Sequence, residues 1–172
     1  TLVLLAGLAA SDCISDEHIT IATVVEMVHM ATLVHDDILD GAEIRRRGAT
    51  INHLHGNEAA VLLGDYLISH AFHLCSSIDT PPRAGTHTAS RLIGHTTNIL
   101  CEGELTQNYH RRNWQLDEKT YFLSSFRKTA ARTSAGGRLG ASYATDRLEF
   151  ADALAAYGRH LGVAFQIVDD LL

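Results

Sequence analysis

Three aspartates fall within five positions, Asp36, Asp37 and Asp40, in the run His35-Asp36-Asp37-Ile38-Leu39-Asp40-Gly41-Ala42-Glu43-Ile44-Arg45-Arg46-Arg47. On a helix, Asp36 and Asp40 lie one turn apart with Cβ atoms about 6 Å from each other, and Asp37 sits beside them. Left alone the cluster is unfavourable. Like charges at that spacing repel by a few tenths of a kcal/mol, roughly, and a helix C-terminus is already electronegative. A divalent cation reverses the sign. Carboxylates that leave room for water suit Mg²⁺, which typically takes one or two of them together with phosphate oxygens. On these three residues alone, a metal site and a solvated acidic helix end both stay open. Arg45, Arg46 and Arg47 follow within ten residues of the acids. Magnesium ligands and forked phosphate binders would then converge, with diphosphate as the natural ligand; the competing reading is that the basic run merely neutralises the acidic one.

A second acidic pair, Asp169-Asp170, follows Phe165-Gln166-Ile167-Val168. Charges on a segment expected to be buried need a counter-charge or a metal, so two helices could present carboxylates across one cleft. Between the two acidic runs stands Lys128-Thr129; Lys128 is one of only two lysines and, taken alone, reads as a surface residue. His29, seven residues before Asp36, reads on its own as a core histidine. His53 with His55, and His70 with His73, have ligand-like spacing but no matching acid or cysteine set. Cys13, Cys75 and Cys101 are widely spaced without a CxxC and read as reduced thiols.

The elements that must position these groups are helical. Among 172 residues, 46% are hydrophobic and 20% charged, with two prolines, which excludes disordered, collagen-like and disulfide-scaffold classes. A net charge of −6, with twelve arginines against two lysines, argues against nucleic-acid binding. The longest uncharged stretch, Thr1 to Ser11, is too short to span a bilayer and has no basic segment before it, so no transmembrane segment or signal peptide is expected and the expected location is cytoplasmic. Strict apolar alternation is absent, so no strands are predicted and the fold class is all-α. Ser15, with Asp16 and Glu17 after it, starts a helix running to Asp40, apolar around most of its circumference and so central. Residues 41–57 read as a loop, followed by helices over 57–77, 84–109, 117–141 and 146–172, with Pro81-Pro82, His110–Gln115 and Ser142–Thr145 as breaks. Short connections imply an antiparallel bundle. Gly136 and Gly140 permit close helix approach. The chain opens and stops inside apolar runs, so both termini read as cut through helices.

These motifs, in this order, resemble the trans-isoprenyl diphosphate synthases of the polyprenyl synthetase family. Asp36-Asp37-Ile38-Leu39-Asp40 resembles its first DDxxD motif and Arg45-Arg46 the trailing arginine pair. Lys128-Thr129-Ala130 resembles its KT segment, and Gly162 to Asp170 the approach to its second aspartate-rich motif. Gly64-Asp65 and Glu102-Gly103-Glu104 with Gln107 are similar to its intermediate helices. The resemblance implies an all-helical bundle around a central substrate cavity, with residues 1–172 as one incomplete domain lacking N- and C-terminal parts. The family's GGKxxRP segment would precede Thr1, and the last aspartate of its second motif would follow Leu172. Arg47-Gly48 stands where many members carry Gly-Lys.

The same resemblance implies site roles. Asp36, Asp40 and Asp169 would ligate magnesium, as about three ions bound with diphosphate, with Asp37 and Asp170 in support. Arg45, Lys128, Thr129 and Gln166 would hold an allylic prenyl diphosphate, and His29 and Arg46 isopentenyl diphosphate. Ala31 and Thr32, where bulky residues would shorten the product, put the floor low and imply a product longer than farnesyl diphosphate. A homodimer is the expected assembly, and the 172 residues alone are expected to be nearly inactive. A terpene cyclase, or a non-catalytic subunit of a heteromeric synthase, are the alternatives.

Overall fold

The computed structural model describes residues 1–110 and 117–172. The polar break placed at His110–Gln115 therefore lies, from position 111 onward, outside the described residues. The helices are α1 (Leu2–Ser11), α2 (Asp16–Leu39), α3 (Ile51–His55), α4 (Asn57–Ser76), α5 (Ala89–His110), α6 (Glu118–Ser125), α7 (Ala131–Ala144) and α8 (Leu148–Leu171); a π-helical turn, Phe126–Ala130, joins α6 to α7. Two short strands, β1 (Ile44–Arg45) and β2 (Gly48–Ala49), pair antiparallel with Ile44 opposite Ala49. The chain divides into two compact units, residues 1–22 with 78–172, and residues 23–77.

In the first unit α7 is the central helix, packed against α8, α1 and α5 and buried on nearly all sides. Small residues set these seams. A Cβ on Gly137 would strike the carbonyl of Leu154, one on Gly158 the carbonyl of Thr133, and one on Gly140 the carbonyl of Val3. The close approach expected at Gly140 is thus present, whereas a Cβ on Gly136 would meet only a Val3 methyl at 3.5 Å. His18, 2% exposed, packs near the C-terminal end of α7. Its Nδ1 accepts from the backbone N–H of Ser15 and lies 2.8 Å from the Ser15 hydroxyl, so its Nε2–H donates to the Gly140 carbonyl at 3.0 Å. A histidine thus fills the place of the acid in a capping box.

Two helices differ from the sequence reading in their bounds. Helix α5 starts at Ala89, five residues later than predicted, because the N–H groups of Arg83 and Ala84 both donate to the Ser142 carbonyl and hold that segment out of helical geometry. The helix predicted over 117–141 reaches Ala144 and is interrupted by the π turn at Lys128-Thr129.

In the second unit, α2 carries one buried stripe, Val24, Val28, Ala31 and Val34, which Ile21 begins in the other; Ile19, Met30 and Leu39 are exposed. It is therefore buried along one stripe and leaves apolar residues exposed, rather than being central and packed on several sides as expected. By length and mean apolarity α2 could cross a bilayer, a test the sequence reading applied only to uncharged stretches; a third of that window is nonetheless buried inside the protein. The loop predicted over 41–57 contains β1, β2 and α3. Arg46 and Arg47 form the two-residue turn with φ of 48° and 69°, the left-handed values a tight hairpin needs but usually obtains from Asn or Gly, so no turn signal marked it. Thr50 caps α3 through its side chain and donates its hydroxyl to the Ala42 carbonyl at 2.7 Å.

Candidate active site

The first acidic cluster sits where α2 ends. Gly41, at φ 61°, lets the N–H of Gly41 reach the Ile38 carbonyl and that of Ala42 reach the Asp37 carbonyl at 2.9 Å, a Schellman closure. This reversal returns the chain so that Arg45 Nε donates to Asp37 Oδ1 at 2.6 Å. Asn52 Nδ2 donates to the carbonyls of Asp37 and Ala42, tying α3 to the same turn, while its buried Oδ1 has no partner. Asp37 is buried, Asp36 half-buried and Asp40 exposed, with Asp36 and Asp40 one turn apart. The three aspartates are therefore not equivalent. Asp37 is committed to Arg45, while Asp36 and Asp40 are the less buried of the three. Arg46 and Arg47 are exposed at the tip of the hairpin. Two residues before Asp37, His35 Nε2 donates to the Val61 carbonyl at 3.3 Å and lies 3.7 Å from Asp65, linking α2 to α4. A Cβ on Gly64 would occupy the space of the His35 ring.

Upstream on α2, Ala31 is fully buried, Thr32 is half-buried with its hydroxyl donating to the His29 carbonyl at 2.8 Å, and His29 is half-buried.

In the first unit a second set assembles between the α6–α7 segment and α8. Thr129 Oγ1 donates to Gln166 Oε1 at 2.5 Å, Gln166 Nε2 donates to Asp170 Oδ1 at 2.8 Å, and Tyr121 Oη donates to Asp170 Oδ2 at 2.7 Å. Gln166 is 5% exposed and Thr129 8%. The Asp170 carboxylate beside it holds the Tyr121 phenol above its ordinary pKa, because losing the proton would break that bond and set two anions together. Asp169 and Asp170 are exposed, contrary to the expectation of a buried segment; they occupy the last turn of α8, and hydrogen bonds rather than burial define the Asp170 position. Lys128 is half-buried beside Thr129 and makes no ion pair among the described residues. Sequence reasoning missed Tyr121 and Asn52, neither of which sits in a recognisable motif; the only available signal was Tyr121 seven positions before Lys128 on one predicted helix.

The donors suit a hard divalent cation, since they are carboxylates. Among the described residues no three His, Cys, Asp or Glu side chains converge on one point. A cation here would complete its shell with water and ligand oxygens, which is how Mg²⁺ is commonly held.

The fold is helical apart from one short hairpin, and two of its helices, α2 and α8, end in aspartate clusters. The polyprenyl synthetase family model matches residues 1–172, and the chain belongs to that family. It is 36% identical over 155 residues to the octaprenyl diphosphate synthase of Escherichia coli (strain K12), covering 90% of this chain and 46% of that protein. The crystal structure of a decaprenyl diphosphate synthase from Rhodobacter capsulatus superposes with a TM-score of 0.88 at 33% identity, covering 98% of this chain and 50% of that one. A polyprenyl synthase from Caulobacter crescentus CB15, complexed with calcium and isoprenyl diphosphate, gives 0.86 at 30% identity, covering 98% and 49%. The chain thus spans about half the length of the curated relatives it matches. The expected all-helical fold of prenyl diphosphate synthases is confirmed.

Proposed function

We propose that this chain is part of a magnesium-dependent prenyltransferase that condenses isopentenyl diphosphate with an allylic prenyl diphosphate, head to tail and in trans geometry, to give a product longer than farnesyl diphosphate. The observation that carries the reading is the Schellman turn that sets Asp36 and Asp40 at one helix end while anchoring Arg45 through Asp37. Membership of the family and the names of the relatives, an octaprenyl and a decaprenyl synthase, support both the reaction and the longer product. The calcium and isoprenyl diphosphate bound to a structural relative support a divalent metal acting with a diphosphate.

Asp36, Asp40 and Asp169 would hold the magnesium, which when bound supplies charge stabilisation on diphosphate oxygens. Arg45 and Lys128 would bind the allylic diphosphate and stabilise the charge that grows as its carbon–oxygen bond breaks. Thr129 and Gln166 would fix the wall beside Lys128. His29 and Arg46 would hold isopentenyl diphosphate, whose double bond forms the new carbon–carbon bond; the proton then lost passes to the departing diphosphate, so no side-chain base is needed. Apolar helix faces would exclude water from the cation. Ala31 and Thr32, both small, would leave room for a long tail. We read residues 1–172 as part of a single all-helical domain that works as a homodimer in the cytoplasm.

Incubating the complete protein with isopentenyl diphosphate, an allylic diphosphate and Mg²⁺ tests the reading. Linear products longer than farnesyl diphosphate, abolished by chelation, are expected. Cyclic products, or none, would refute it.

A further inference from the structure

The hydrogen-bond chain between α6, the π turn and α8 includes a group that the reaction as described does not use, the hydroxyl of Tyr121. Both oxygens of the exposed Asp170 are already taken, Oδ2 by Tyr121 and Oδ1 by Gln166, and Gln166 is itself fixed from behind by Thr129 within the protein. A surface carboxylate on the last turn of a helix ordinarily rotates freely; here it is clamped from two sides.

The π turn explains why the clamp closes. Gln166 and Asp170 are one turn apart and share a face of α8. To meet them, Thr129 and Tyr121 must share a face as well. Eight residues at about 100° each would leave them roughly 80° apart on an unbroken α-helix, whereas one residue absorbed by the π turn brings them to within about 20°. The irregularity at Phe126–Ala130 is what aligns Thr129 with Gln166 and Tyr121 with Asp170.

We propose that Tyr121 is a positioning residue that, together with the Thr129–Gln166 pair, fixes the Asp170 carboxylate for the metal–diphosphate complex. The inference rests on the proposed prenyltransferase reading. Tyr121 acts through Asp170 and touches neither reacting carbon.

The test is calorimetric titration of the full chain with inorganic diphosphate in the presence of Mg²⁺, alongside thermal unfolding. Tyr121→Phe removes one hydroxyl from a largely exposed contact. It should leave the unfolding midpoint within about two degrees of wild type while weakening magnesium-dependent diphosphate binding roughly tenfold, the scale of a hydrogen bond to a charged group. In an Asp170→Asn background the same substitution should add nothing further. A lowered midpoint with unchanged binding, or a full tenfold loss that persists in Asp170→Asn, would overturn the role. Wild type that binds while Tyr121→Phe binds equally well sinks this inference alone; wild type that fails to bind magnesium diphosphate sinks the prenyltransferase reading with it.

Discussion

Arg45 and Asp37 form an ion pair in which the acid is the buried partner: Nε to Oδ1 is 2.6 Å, with the carboxylate side chain 8% exposed and the arginine 36%. The acid, not the base, therefore bears the desolvation. Arg45→Ala should destabilise the protein by about 1–3 kcal/mol because it strands a buried carboxylate. Adding Asp37→Asn to that variant should recover part of the loss. Lysine at position 45 should not fully substitute, since Asp37 accepts from the Arg45 Nε–H, part-way along the side chain, where lysine has only a methylene. Urea unfolding midpoints measure all three; an unchanged midpoint for Arg45→Ala would mean the pair contributes nothing to the turn.

The seam between α7 and α8 gives a contrast between neighbours. Gly137→Ala puts a methyl group into the Leu154 carbonyl, and backbone cannot swing aside, so a loss of about 1–3 kcal/mol or more is expected. Gly136→Ala meets only an ordinary contact with Val3 and gains helix propensity, so it should be neutral or stabilising by up to about 1 kcal/mol. Denaturation of the two variants side by side decides it, and equal effects would contradict the packing described.

Glu17 provides a pH signature. Hydrogen bonds from the Ser15 and Thr80 hydroxyls lower its pKa from 4.5 to about 2. Thr80 donates at 2.8 Å, whereas the single Ser15 proton is also claimed by His18 Nδ1, so Thr80 is the dependable donor. With the folded value below the unfolded one, the stabilisation is fully present above about pH 4.5 and is lost as pH falls through about 2. The stability difference between wild type and Glu17→Gln should shrink across that window, and Thr80→Val should remove most of the difference at neutral pH. A gap that stays constant from pH 5 to 2, as read by unfolding at stepped pH, would exclude the effect.

Product length can be probed at Ala31 and Thr32. Phenylalanine at either position should shorten the product if the tail passes there. Ala31 is fully buried, so Ala31→Phe should also lower stability by about 1–3 kcal/mol through overpacking, while the half-buried Thr32→Phe should cost less. Chromatography of the products reports chain length, and unchanged length in a folded Thr32→Phe variant would remove that position from the floor.

The sequence by itself determined that the chain is helical, where most helices lie, and which residue types could bind a metal and diphosphate. These properties are local. Ser15, Gly41 and the Pro81-Pro82 pair punctuate the chain through their own backbone preferences, and α2 at Asp16–Leu39 and α4 at Asn57–Ser76 match their predicted spans within a residue or so. Tertiary structure alone decided which of three adjacent aspartates would be buried, because that follows from the Arg45 guanidinium returning through a hairpin whose turn residues, Arg46 and Arg47, carry no turn signal of their own. It also decided that α7, built of Ala and Gly, would be the buried helix of its unit, since small residues look neutral in a pattern but admit neighbouring backbones. The clamp on Asp170 was beyond any reading of spacing. It depends on one extra residue in a helical turn, and regular periodicity, the premise of such reading, places Tyr121 and Thr129 on different faces.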